Sequence, residues 1–106
     1  MNEKKNEKLV ECSLWFAGQE PYARIQVCSI EWKEWKSYID WASPPGIQPQ
    51  DPVTQMDPST VTEMYDHIES IDWNTVPTVA LGGMTMLYGF LKQAHEQRAG
   101  AWIEIC

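Results

Sequence analysis

Apolar and polar residues alternate along residues 9–17 and again along residues 22–30. Period-two alternation marks half-buried strands, and Gly18, Gln19, Glu20 and Pro21 between the two runs are turn formers, so the start of the chain reads as a β-hairpin. The same pattern selects a register. Pairing Ala17 with Tyr22 puts Val10, Cys12, Leu14 and Phe16 on one face with Ser29, Val27, Ile25 and Ala23. Glu11, Ser13 and Trp15 then share the opposite face with Cys28, Gln26 and Arg24, whereas a one-residue slip mixes the two sets. This register places Cys12 and Cys28 on opposite faces, which argues against a disulfide between them. It also makes Trp15 and Arg24 cross-strand neighbours suited to a cation–π contact.

Helical spacing follows. Ser29 is positioned to cap a helix over residues 31–41, with Trp32, Trp35, Tyr38 and Ile39 at turn-by-turn spacing. Trp32, Trp35, Tyr38 and Trp41 are more aromatics than one inward face needs, so some of these tryptophans are expected at the surface. Residues 43–58 hold five prolines and read as a loop stiffened by proline, suited to recognition. Asp57 as N-cap and Pro58 at the first helical position open the clearest helix, to about Ile71. Its apolar stripe is Val61, Met64, Tyr65, Ile68 and Ile71, and Glu63, Asp66, His67 and Ser70 lie on the other side. Thr75 or Thr78 is expected to cap a last helix reaching Arg98, with Leu87, Phe90, Leu91 and Ala94 inward and Gly100 past its end. Gly82, Gly83 and Gly89 weaken its first half, where a short strand over residues 79–81 competes. Alternation in residues 101–106 predicts a final strand joining the hairpin. The expected fold is α+β: a flexible tail at residues 1–8, then one domain over 9–106 in which a small antiparallel sheet, the N-terminal hairpin plus the C-terminal strand, packs against about three helices.

A chain of 106 residues has room for one such core. Charge layout narrows the function further. The formal net charge is −7, and no Lys or Arg occurs from Ser37 to Leu91, a span that carries Asp40, Asp51, Asp57, Glu63, Asp66, Glu69 and Asp72. Proteins that grip nucleic acid do so by neutralising phosphates with Lys and Arg, so direct nucleic-acid binding is excluded and a basic partner is favoured. Three cysteines without CxxC spacing indicate neither a zinc knuckle nor a disulfide framework, and a reducing cytoplasm is expected. Glu11 interrupts the only stretch that imitates a signal peptide. The uncharged run over residues 73–91 is diluted by Asn74, Thr75, Pro77 and Thr78, so no membrane span is expected.

Four groupings carry possible chemistry. Glu63, Asp66 and His67 with Ser70 share a helix face, as metal ligation or acid–base work requires, but no further ligand is evident and a solvated polar face explains them. Cys28 with His67 or His95 would form a thiol nucleophile, yet Glu11 and Glu31 nearby oppose a thiolate. Gly82 and Gly83 before a helix resemble a phosphate loop, but no Lys follows until Lys92, so helix packing is the better account and no cofactor is expected. The fourth joins aromatic anchors to negative charge: Trp32, Trp35, Asp40 and Trp41, with Asp57, Glu63, Asp66 and Glu69, as at protein interfaces. The function expected from it is non-enzymatic inhibition of a basic protein, namely a toxin-immunity protein or a phage-encoded inhibitor of a bacterial defence nuclease or effector. The alternatives are a small-molecule or nucleotide pocket around residues 82–88 and a homo-oligomeric assembly subunit, for instance a homodimer.

Overall fold

A computed structural model describes residues 8–16, 23–45, 47 and 51–106. Of the expected tail at residues 1–8 only Lys8 is described, and its carbonyl accepts the Trp32 N–H; the rest of that tail, the turn at residues 18–21 and the pairing of Ala17 with Tyr22 lie outside the described residues. Strands β1 (Leu9–Phe16) and β2 (Ala23–Glu31) lead into α1 (Trp32–Ala42). There follow β3 (Val53–Met56), α2 (Pro58–Ser70), a 3-10 turn (Trp73–Thr75), α3 (Thr78–Glu96) and β4 (Gly100–Ile105). The fold is the α+β arrangement expected, with one strand more: a four-stranded antiparallel sheet in the order β2-β1-β4-β3 and three helices.

The added strand lies inside the segment expected to be a proline loop. Val53, Thr54, Gln55 and Met56 pair with Glu104, Ile103, Trp102 and Ala101 at the sheet edge, and the Pro52 carbonyl accepts the Ile105 N–H at 2.8 Å. Proline cannot donate to a ladder, and just before an edge strand that loss costs nothing. Met56 thereby enters the core at 2% exposure.

The hairpin register is that expected for Ser13, Leu14, Trp15 and Phe16, which pair with Gln26, Ile25, Arg24 and Ala23. A bulge at Val27 then shifts the other half by one residue, so that Cys12 pairs with Cys28 and Val10 with Ile30. The physical reason is Ile30: an unbroken register would bury Ser29 and expose Ile30, whereas the bulge leaves Ile30 1% exposed. Cys12 and Cys28 therefore face the same side, correcting the expected separation, and both are free thiols. Ser29 does not cap α1. Its hydroxyl accepts from Gln26, and the first amide of the helix, on Trp32, donates instead to the Lys8 carbonyl at 3.2 Å.

One side of the sheet carries the helices. α1 packs on β2 and β1, α2 on β4 and β3, and α3 packs against both other helices, while α1 and α2 share no comparable interface. Val10, Cys12, Leu14, Ile30, Ala101 and Ile103 meet Trp35, Tyr38, Val61, Met64, Ile68, Met84, Leu87, Phe90 and Leu91 in one core. Gly82 and Gly83 sit inside α3, where a Cβ on Gly83 would come within 2.9 Å of Glu34 Cβ. Close packing on α1 explains them, and the competing strand over residues 79–81 does not form. Neither threonine caps α3; the Thr75 hydroxyl donates to the Asp72 carbonyl, and Pro77 occupies the cap position. Arg98 takes the left-handed backbone (φ 56°) after the helix. Gly100 already belongs to β4, where a Cβ would lie 2.5 Å from the Met56 carbonyl oxygen and 2.7 Å from Trp15 Cε3.

The helix-free face of the sheet carries Trp15, Trp102, Arg24 and Glu104. Arg24 is opposite Trp15 in the ladder, but its guanidinium stacks 4.3 Å from the Trp102 ring centre and lies 3.7 Å from Glu104, so the expected cation–π partner is corrected to Trp102. Trp15 is drawn instead over Gly100. Among the described residues no helix is long and apolar enough to cross a membrane.

Candidate functional site

α2 is set by its first turn. The Asp57 carboxylate accepts the Thr60 N–H and the Ser59 hydroxyl, both at 2.9 Å, and those bonds hold its carboxyl below the usual range. Val61, Met64 and Ile68 turn inward at 0% exposure. The helix period then forces Glu63, Asp66 and Glu69 out to solvent at intervals of three. Glu63 and Asp66 have neither a hydrogen-bond nor an ion-pair partner among the described residues, where the ion pairs are Lys36–Asp40 and Arg24–Glu104.

The sequence-derived constellation divides in two. Asp57, Glu63, Asp66 and Glu69 share α2 and its cap, but Trp32, Trp35, Asp40 and Trp41 lie on α1, beyond α3. Trp35 is corrected from surface anchor to core residue, since it is 2% exposed and tilted against Tyr38. Trp32 is half-buried with the Lys8 ammonium 5.4 Å from its ring centre, so its face is covered. Asp40 accepts from Lys36 at 2.8 Å, which neutralises it locally. Trp41, 40% exposed, is the one tryptophan of the three that remains open.

Beside the acidic face the structure assembles an array the sequence reading did not anticipate. Trp73, Tyr88, Tyr65 and His95 form a row between α2 and α3: an edge contact of 5.8 Å at 76°, a stack of 5.7 Å at 19°, and a second stack of 5.0 Å at 19°. Hydrogen bonds pin it. Tyr65 and Tyr88 both donate their hydroxyls to Glu69 Oε2, at 3.1 and 2.8 Å. The Trp73 Nε1–H donates to the Ile68 carbonyl at 3.3 Å, and Thr62 Oγ1 lies 3.1 Å from His95 Nδ1. The Tyr88 hydroxyl, with the Glu69 carboxylate, pushes the Tyr65 phenol above its ordinary range, so Tyr65 stays a donor. The only hints in the sequence were Tyr65 four residues before Glu69 and Tyr88 seven before His95, spacings that align each pair on one helix flank. Which flanks meet depends on how α2 and α3 cross.

Two depressions border the row. One, of about 330 Å³, is walled by Glu69, Trp73, Thr85 and Tyr88. The other, of about 590 Å³, opens between the start of α2 and the end of α3, with Thr62, His95 and Arg98 on its walls. His67, the imidazole expected beside Glu63 and Asp66, is half-buried, and its Nδ1 is buried without a hydrogen-bond partner among the described residues. No group of three or more potential metal ligands occurs among the described residues. Cys28 faces Cys12 rather than Glu11: a hydrogen bond from the Cys12 thiol lowers the Cys28 thiol, while that same bond and burial raise Cys12.

Comparison with known proteins returns no matching family model, no matching curated protein and no matching solved structure.

Proposed function

We propose that this chain is a non-enzymatic protein-binding inhibitor that docks a basic partner on the solvent face of α2, next to the Trp73–Tyr88 end of the aromatic row. The observation that carries this reading is the unpaired state of Glu63 and Asp66: two exposed carboxylates on one helix face with no ion-pair partner among the described residues. Surface acids without partners leave a negative field that steers and orients a positive protein. Rigid aromatic rings beside them supply the apolar contact that charge alone does not. Residues three apart on a helix lie roughly 5–6 Å from one another, close to the spacing of phosphates along a strand, so the face suits a groove built for nucleic acid. The settings that fit are cytoplasmic, a toxin with its immunity protein or a bacterial defence nuclease or effector inhibited by a phage protein. α1, with its open Trp41, lies beyond α3 and stands apart from this face.

Affinity capture from a host lysate at low and high salt tests the reading. A basic nuclease or effector retained by the native chain, released by salt and lost when Glu63 and Asp66 are both changed to Lys, is the expected result. Retention of the same species by the doubly changed chain would overturn it.

A further inference from the structure

The depression walled by Glu69, Trp73, Thr85 and Tyr88 has the chemistry of a cation receptor. Each face of Tyr65 is covered, by Tyr88 on one side and His95 on the other, so that ring offers nothing to a ligand. Tyr88 gives one face to that stack, and Trp73 meets it edge to face at 76°, so the two rings stand at an angle around the solvent-open depression that both wall and form a corner there. Both tyrosine hydroxyls are given to Glu69 Oε2, which leaves Oε1 of the same exposed carboxylate without a hydrogen-bond partner among the described residues. Electron-rich aromatic rings and a carboxylate around one cavity attract positive charge and repel negative.

The corner is also rigid before anything binds. Trp73 is fixed through Ile68, Tyr88 through Glu69 and its stack on Tyr65, and Glu69 through two donors. Thr85 spends its hydroxyl proton on the Leu81 carbonyl and turns no donor against a cation. Preorganisation of this kind removes the ordering cost that weakens surface sites. Among the described residues no cationic side chain occupies the corner: the cation–π contacts are Lys8 on Trp32 and Arg24 on Trp102, and Lys92, one turn beyond Tyr88, makes neither such a contact nor an ion pair.

We infer that this corner receives a single alkylammonium or guanidinium group, presented as a Lys or Arg side chain of the bound protein. The source of the cation rests on the proposed function; the chemistry of the corner does not. The probes are Nα-acetyl-arginine methylamide and Nα-acetyl-lysine methylamide, with the neutral citrulline and norleucine analogues as controls. They are titrated into the full chain while the indole N–H resonance of Trp73, assigned with Trp73→Phe, is followed by NMR. Both cationic probes should move that resonance saturably and the neutral ones should not. Glu69→Gln, which preserves an acceptor for the tyrosines, should weaken the response about fivefold, and Thr85→Arg should abolish it by supplying a tethered cation. Both positions are exposed, and an otherwise unchanged spectrum shows that the variant is folded. An unmoved resonance, or equal shifts with the neutral probes, would overturn the inference. Salt-sensitive partner capture alongside a silent corner would remove this inference alone, and a responsive corner in a chain that captures no basic partner would remove the proposed function alone.

Discussion

Changing Gly100 to Ala should destabilise the protein although the change adds a single methyl group. At the start of β4 the new Cβ would lie 2.5 Å from the Met56 carbonyl oxygen and 2.7 Å from Trp15 Cε3, both well inside contact distance. The carbonyl has no easy retreat, since Met56 is paired in β3 and its side chain is 2% exposed. Overpacking of this kind costs about 1–3 kcal/mol, more than the ~0.5–1 kcal/mol that replacing a glycine recovers from the unfolded chain. For a domain of this size, a net loss of about 1–2 kcal/mol lowers Tm by roughly 4–16 °C. Gly89→Ala provides the opposite sign within the same molecule. No atom lies within 4 Å of the added Cβ there, and the position is inside α3, so helix propensity raises stability by ~0.5–1 kcal/mol. Thermal unfolding followed by circular dichroism reads both. Equal Tm values for Gly100→Ala and the parent would refute the packing of β3, β4 and Trp15, and with it the seating of the strand that leads straight into the acidic helix.

Other outcomes follow from the caps and thiols. Asp57→Ala should lower Tm more than Asp57→Asn, which keeps a capping oxygen, as the same melts will show. Because its hydrogen bonds depress the Asp57 carboxyl, its contribution is present above the unfolded carboxylate value and lost as pH falls through the lower folded one; Asp57→Asn should therefore flatten the acid limb of a stability–pH curve. Cys28 should be alkylated by iodoacetamide at lower pH than Cys12 or Cys106, because the Cys12 thiol stabilises its thiolate. Cys12→Ala should move the Cys28 profile upward, and Cys12→Ser should not, as peptide mass mapping will report.

How far these features were legible differs element by element. α2 announced itself because Asp57 and Pro58 are local signals and Val61, Met64 and Ile68 recur at the helix period, so no distant contact was needed to place it. The hairpin was legible at its Phe16–Ala23 end and not beyond, because the bulge at Val27 is selected by burial of Ile30, which the alternation rule applied uniformly assigns to the wrong face. β3 is four residues long beside Pro52, too short for its alternation to outweigh the prolines, and it forms because β4 offers it an edge. Arg24 chose Trp102 over Trp15 for a related reason: strand order brings β4 beside β1, and sequence neighbours cannot reveal that. The acids of the candidate face were legible as a charge pattern. Their separation from the α1 tryptophans was not, because α3, late in the chain, inserts between two helices that precede it.

The most direct test of the binding face compares matched charge reversals on the two outer helices. With the captured basic partner in hand, its Kd should be measured by calorimetry over a series of salt concentrations for the parent, for Glu63→Lys with Asp66→Lys, and for Asp40→Lys. The α2 pair should weaken binding severely and flatten its salt dependence, while the α1 change should leave both near the parent values. Equal losses from α1 and α2, or an α2 pair that binds as the parent does, would contradict the α2 binding face.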